Sequence, residues 1–134
     1  MSAVRIIGEL MLAFEPLTSI VPETAIKAWA LPQGAGLPSL VANRISRVRV
    51  QFLAATQVWM VTERVQVTAR SGSGSQREQI LKLVERACAD QTGMIAGFEN
   101  VAVLAAGGGP DFNDDAASIF MGSTDFRVSF NEPA

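Results

Sequence analysis

Val61-Thr62-Glu63-Arg64-Val65-Gln66-Val67-Thr68-Ala69-Arg70 alternates as a half-buried strand does. Val61, Val65, Val67 and Ala69 point one way, while Thr62, Arg64, Gln66, Thr68 and Arg70 point the other. Glu63 falls on the apolar side and breaks the pattern. Upstream, Leu40, Val41 and Ile45 open a second strand, whose outer part sets Arg47, Arg49 and Gln51 against Val48, Val50 and Phe52. With Ala54 to Gln57 as its tip, the stretch from Ser39 to Arg70 predicts a long β-hairpin.

Ahead of the hairpin, Ser2 can cap a helix over residues 3–14, with Val4, Ile7, Leu10, Met11 and Phe14 on one stripe. Pro16 is expected to end it, with residues 17–24 as a loop and Ala25 to Leu31 as a short strand. Beyond the hairpin, Ser71-Gly72-Ser73-Gly74 is a short flexible link. Ser75 and Glu78 have capping-box spacing for a helix over 75–91 that buries Ile80, Leu83, Val84, Ala87 and Cys88, with Gly93 as its stop. Asn100 to Ala105 reads as a strand, Gly107 to Asp115 as a loop and Ile119 to Phe130 as a final strand, with Phe126, Val128 and Phe130 inward. The expected fold is a single α+β domain over residues 1–134. It has a largely antiparallel β-sheet, two helices on one face and a long protruding β-hairpin.

Composition narrows function. A chain of 134 residues, 49% of them hydrophobic and with net charge -2, can bury a core without a metal or disulfide staple. The chain has no histidine, which removes imidazole bases, Ser/Cys–His pairs and histidine metal sites. The one cysteine, Cys88, allows no internal disulfide and lies on an apolar helix stripe. A pI near 5.1 is opposite to the basic footprint of an autonomous nucleic-acid binder. No stretch has the length and apolarity of a membrane span. These features argue against an enzyme and imply no cofactor; they fit a soluble protein of a reducing compartment, or of a particle assembled in one.

Two glycine- and acid-rich motifs resemble ligand loops and lack what those loops need. Gly107-Gly108-Gly109-Pro110 has no Lys-Ser/Thr pair to meet a phosphate. Asp111-Phe112-Asn113-Asp114-Asp115 has calcium-loop oxygens at its first, third and fifth positions, but Ala116 stands where glycine is required and Gly122 where glutamate is. Glu63 calls for a partner such as Arg44 or Arg127, or a place at a subunit contact. Arg44, Arg47 and Arg49 form a basic stripe, and nine of the eleven basic residues are arginine, the side chain suited to interface ion pairs. The outer hairpin carries Phe52, Leu53, Trp59 and Met60, more apolar surface than one small core covers, and this predicts self-association through these four with Arg47 and Arg49.

The layout resembles the tail completion, or tail terminator, proteins of long-tailed bacteriophages and related gene transfer agents. The residues that carry the resemblance are the helix Val4 to Phe14, the run Pro32-Gln33-Gly34-Ala35-Gly36-Leu37-Pro38 leading into Leu40 to Ser46, Glu63 to Val67, the serine/glycine break with its amphipathic helix, and the closing Asp125-Phe126-Arg127-Val128-Ser129-Phe130. The resemblance implies a virion protein, assembled in the host cytoplasm, forming a hexameric ring at the head–tail junction. Such a ring caps the tail tube, ends its polymerisation and joins it to head-completion or stopper proteins, while DNA passes through the lumen unread. On that reading Asp111, Phe112, Asp114 and Asp115 form a partner-docking loop, mobile alone and ordered where a partner holds it, with Phe112 as anchor. The alternatives are another neck-region ring component, such as a stopper or tube protein, and a small cytosolic accessory or ligand-binding domain.

Overall fold

In the computed structural model, which describes residues 2–29, 36–50, 58–114 and 118–133, the hairpin is present. Helices α1 (Ser2–Leu12) and α2 (Glu15–Thr18) precede a 3-10 turn (Glu23–Ala25) and strand β1 (Ile26–Ala28). The hairpin arms are β2 (Ser39–Val50) and β3 (Val58–Ser71), followed by α3 (Gly74–Cys88). Strands β4 (Thr92–Ile95), β5 (Phe98–Ala105), β6 (Phe112–Asp114) and β7 (Ile119–Pro133) complete the described order. They form one sheet in the order β1-β2-β3-β7-β5-β4, with β6 also on β7. Every pairing is antiparallel except β1 with β2. The fold is α+β.

The alternation in β3 sets the layers. Val61, Val65, Val67 and Ala69 are buried, and β7 lays Phe126, Val128 and Phe130 beside them. Against this face α1 buries Ala3, Val4, Ile6, Ile7 and Met11, and α3 buries Ile80, Val84, Ala87 and Cys88. Each fully buried Val, Ile or Phe contributes roughly 1.5–3 kcal/mol relative to exposure, so this shared face holds the domain together. The opposite sheet face carries Thr62, Gln66, Thr68 and Ser129, half-buried by their neighbours on the sheet. Thr62 and Ser129 share a hydrogen bond of 3.0 Å across that face.

Several boundaries depart from the sequence reading. The first helix stops at Leu12, and Pro16 lies in the first turn of α2, where its missing N–H has no partner to lose. The expected loop 17–24 therefore holds helical turns, and the described part of the expected strand 25–31 is strand over Ile26–Ala28, with residues 30 and 31 outside the described residues. The cap of α3 is Ser73, not Ser75: its extended backbone lets Oγ accept the Gln76 N–H at 3.2 Å. The helix ends at Cys88, ahead of Asp90 at φ 62, while Gly93 lies inside β4. Strands β4 and β6 were not expected.

The hairpin also has more support than a two-stranded ribbon. β7 pairs with β3 from Ser71↔Phe120 to Val58↔Pro133. On the other side β1 covers β2 only at Leu40, Val41 and Ala42, so from Asn43 to Val50 no described strand pairs with its outer edge. The tip, with Phe52 and Leu53, lies outside the described residues.

Candidate interaction surfaces

A β-bulge between Arg44 and Ser46 arranges the first surface. Past it, Arg47 lies opposite Glu63 and Arg49 opposite Val61, on the helix-bearing face. Glu63 is fully buried and accepts from Arg47 Nη1 at 2.7 Å and from the Ala3 N–H at 3.3 Å. Arg44 stands 3.7 Å from the same carboxylate. The expected partner Arg44 is thus present, Arg47 is the nearer one, and Arg127 lies exposed on the opposite face. Arg47 also grips Glu132 through two bonds of 2.6 and 3.2 Å. Hydrogen bonds to Glu132 and then to Glu63 push the Arg47 pKa still higher than an ordinary arginine's, so it is a permanent cation.

Arg49 stacks 4.0 Å above the ring of Trp59, which is half-buried on this face. The other face of the outer hairpin is apolar and exposed: Val48 at 64%, Val58 and Met60. Trp59 and Met60, expected in one subunit contact, therefore point to opposite faces of β3.

The second surface is the chain from Leu104 to Asp114. The glycine run continues β5 along β7: Ala106 N–H donates to Asp125 O, and Asp125 N–H to Gly107 O. Gly109 N–H reaches Ser123 Oγ at 3.2 Å, and a Cβ at Gly108 would stand 2.6 Å from Ser123 O. Arg77, buried in the first turns of α3, pairs with Asp111 at 3.2 Å and donates to Asn113 at 3.1 Å. Arg64 bonds Asp125 and the Ala106 carbonyl. Residues 106–113 of the segment read as mobile are thus tied to the rest of their own chain, while residues 115–117 lie outside the described residues. Phe112 is 59% exposed, Asp111 and Asp114 are exposed, and Asp115 lies outside the described residues.

Sequence reasoning missed Arg77, Arg64, Asp125 and Glu132 as partners. Arg77 had a signal, since it lies three and seven positions ahead of Ile80 and Val84 on the buried stripe. The others depend on register, which no local pattern reveals.

An apolar groove of about 440 Å³ lies between α1 and the β1 edge, lined by Val4, Gly8, Met11, Ile26, Ala28 and Trp29 among others. Burial pushes the Cys88 thiol up to about 12. Among the described residues no group of His, Cys, Asp and Glu could hold a metal ion, and no helix is long and apolar enough to cross a membrane.

No protein-family model matches the chain, and no curated protein matches it. Among solved structures it is similar to a chain of the virion of a native gene transfer agent particle, at 11% identity and TM-score 0.69 over 95% of this chain and 92% of that one. A second solved protein matches at 14% identity and TM-score 0.53, over 88% of this chain and 86% of that one. At these identities the shared property is the fold.

Proposed function

We propose that this chain is a structural, non-enzymatic virion protein: a tail terminator that assembles into a ring, of six copies, on the end of the tail tube. The observation that carries this reading is the fold shared with the gene transfer agent virion chain across nearly all of both chains. The two surfaces support it, because they lie on opposite lateral edges of one sheet, β2 on one side and β5 with β6 on the other. Contacts between unlike surfaces are the kind that generate rings.

In this role the ring ends tube polymerisation and offers its far side to the head-completion or stopper protein. Its lumen passes DNA without reading sequence. The outer hairpin, with Phe52, Leu53, Trp59, Met60, Arg47 and Arg49, makes subunit contacts, and Asp111, Phe112, Asp114 and Asp115 make a docking segment.

Particles assembled without this protein test the reading. Loss should leave tubes of uncontrolled length that fail to join heads, and added purified protein should bind tube ends as rings in electron micrographs. Tails of normal length joined to heads in its absence would overturn the proposal. Rings that bind the stopper protein but never the tube end would move the chain to another place in the neck.

A further inference from the structure

Apart from the outer edges of the short end strands β1 and β4, two longer strand edges are open among the described residues, and these two match each other. One is the outer edge of β2 from Asn43 to Val50. The other runs from Leu104 to Asp114: β4 and the turn before it cover β5 only as far as Val103, and β6 pairs with β7 alone. Open edges carry rows of backbone donors and acceptors and invite a further strand.

Direction suits pairing. β2 runs against β3, β3 against β7 and β7 against β6, so a second copy laid alongside brings its β2 antiparallel to β6.

Side chains agree on both faces. On the helix-bearing face β2 presents Arg44, Arg47 and Arg49. On the same face the β6 edge presents Asp111, which lies over Gly122 against Arg77 of α3. On the open face β2 presents Val48, and β6 presents Phe112, both among the most exposed large apolar side chains. Cation meets anion on one face; on the other Val48 meets Phe112, and Asp114, two residues on, falls opposite Ser46.

We infer that the β2 edge of one copy pairs with the β6 edge of the next, so that the sheet runs on from subunit to subunit around the ring. The inference rests on the ring reading and names its contact: the acidic segment binds the basic hairpin of a neighbouring copy. The levels of the two edges set the geometry. With Val48 opposite Phe112, Val48 is level with Ser129 on β7 and Phe112 with Met121, eight residues away or ~27 Å along the strands. Crossing from β2 to β6 and on to the next copy takes four strand spacings, ~19 Å. A closed ring therefore holds its strands at ~55° to its axis, steeper than the ~35–45° of a closed barrel.

Val48→Lys and Phe112→Asp test this. Both sites are exposed in the single subunit, at 64% and 59%, so each variant should melt like the wild type. Each alone places a charge against an apolar partner and should weaken association about tenfold or more in sedimentation across a concentration series. An equimolar mixture should recover rings with equal numbers of the two variants and an even copy number, since each altered edge then meets its complement. The inverted pair, Val48→Asp with Phe112→Lys, should behave alike. Wild-type assembly by either single variant, or a mixture of well-folded variants that fails to recover rings, overturns the pairing and leaves the ring reading standing. A wild-type chain that stays monomeric at every concentration, alone and with tube protein, overturns the ring reading and the pairing with it.

Discussion

Replacing Arg47 should destabilise the subunit more than neutralising the carboxylate it serves. Glu63 is 0% exposed and Arg47 30% exposed, so the two partners have unequal alternatives. In Glu63→Gln, Arg47 keeps Glu132 at 2.6 Å and turns its remaining donors to water, while the amide can still accept the Ala3 N–H. In Arg47→Met, the Glu63 carboxylate stays desolvated, with Arg44 at 3.7 Å and one backbone N–H. Breaking a fully buried pair costs ~3–5 kcal/mol. Partial exposure of Arg47 and the help of Arg44 reduce that to ~2 kcal/mol, against ~1 kcal/mol for Glu63→Gln. For a domain of this size the larger cost lowers Tm by roughly 6–10 °C. The double variant Glu63→Leu with Arg47→Met removes both charges and should recover at least half of the Arg47→Met loss. Urea unfolding of the four proteins reads the cycle. Equal costs for the two single variants, or a double variant worse than Arg47→Met, would refute the claim that a stranded carboxylate dominates.

Three further outcomes follow from local geometry. Ser73→Ala should cost ~1 kcal/mol by freeing the Gln76 N–H, while Ser75→Ala changes urea stability by a few tenths at most; the reverse order would reinstate Ser75 as the cap. Gly108→Ala should cost ~2 kcal/mol because its Cβ meets the Ser123 carbonyl oxygen, whereas Gly72→Ala, with open space around it, should be near neutral in the same melts. At pH 8 a thiol raised to about 12 holds ~1 thiolate in 10⁴, against about a quarter for an ordinary cysteine, so Cys88 should label with a thiol reagent only as the chain unfolds; rapid labelling of native protein contradicts its burial.

The acid in the apolar alternation of β3 was legible, because an ionised carboxylate at an inward position requires a partner. Which arginine answers it was not. Ser39 to Arg44 pair with Arg70 to Val65 in one register, and continuing that register would place Arg47 opposite Thr62, on the open face. The bulge at Ile45 shifts the pairing by one residue and turns Arg47 and Arg49 toward Glu63 and Trp59. Nothing in Arg44-Ile45-Ser46 announces a bulge, so the face of the basic stripe was out of reach. β4 and β6 escaped for a simpler reason: four and three residues are too few to show a period. The inward set Phe126, Val128 and Phe130 was legible because β7 is long and strictly alternating there. The ties that hold the glycine run were not, since they join Gly107 and Gly109 to Ser123, Thr124 and Asp125 across a pairing fixed only in the folded sheet.

β7 follows every other described strand in sequence, yet it lies in the middle of the sheet, between β3 and β5, with β6 also on it. A growing polypeptide therefore displays β3 and β5 with no central partner until residues 119–133 have left the ribosome. Val65 must then find Phe126, 61 positions later, and contacts of such separation make folding slow. Until that moment the valine edge of β3 is bare and open to wrong partners, a period in which a chaperone is useful. Completion of β7 also creates β6, its hairpin mate, and with it the acidic edge. On the proposed pairing, a copy could not offer both of its edges before synthesis has passed this strand, which would hold assembly back until each copy has finished folding.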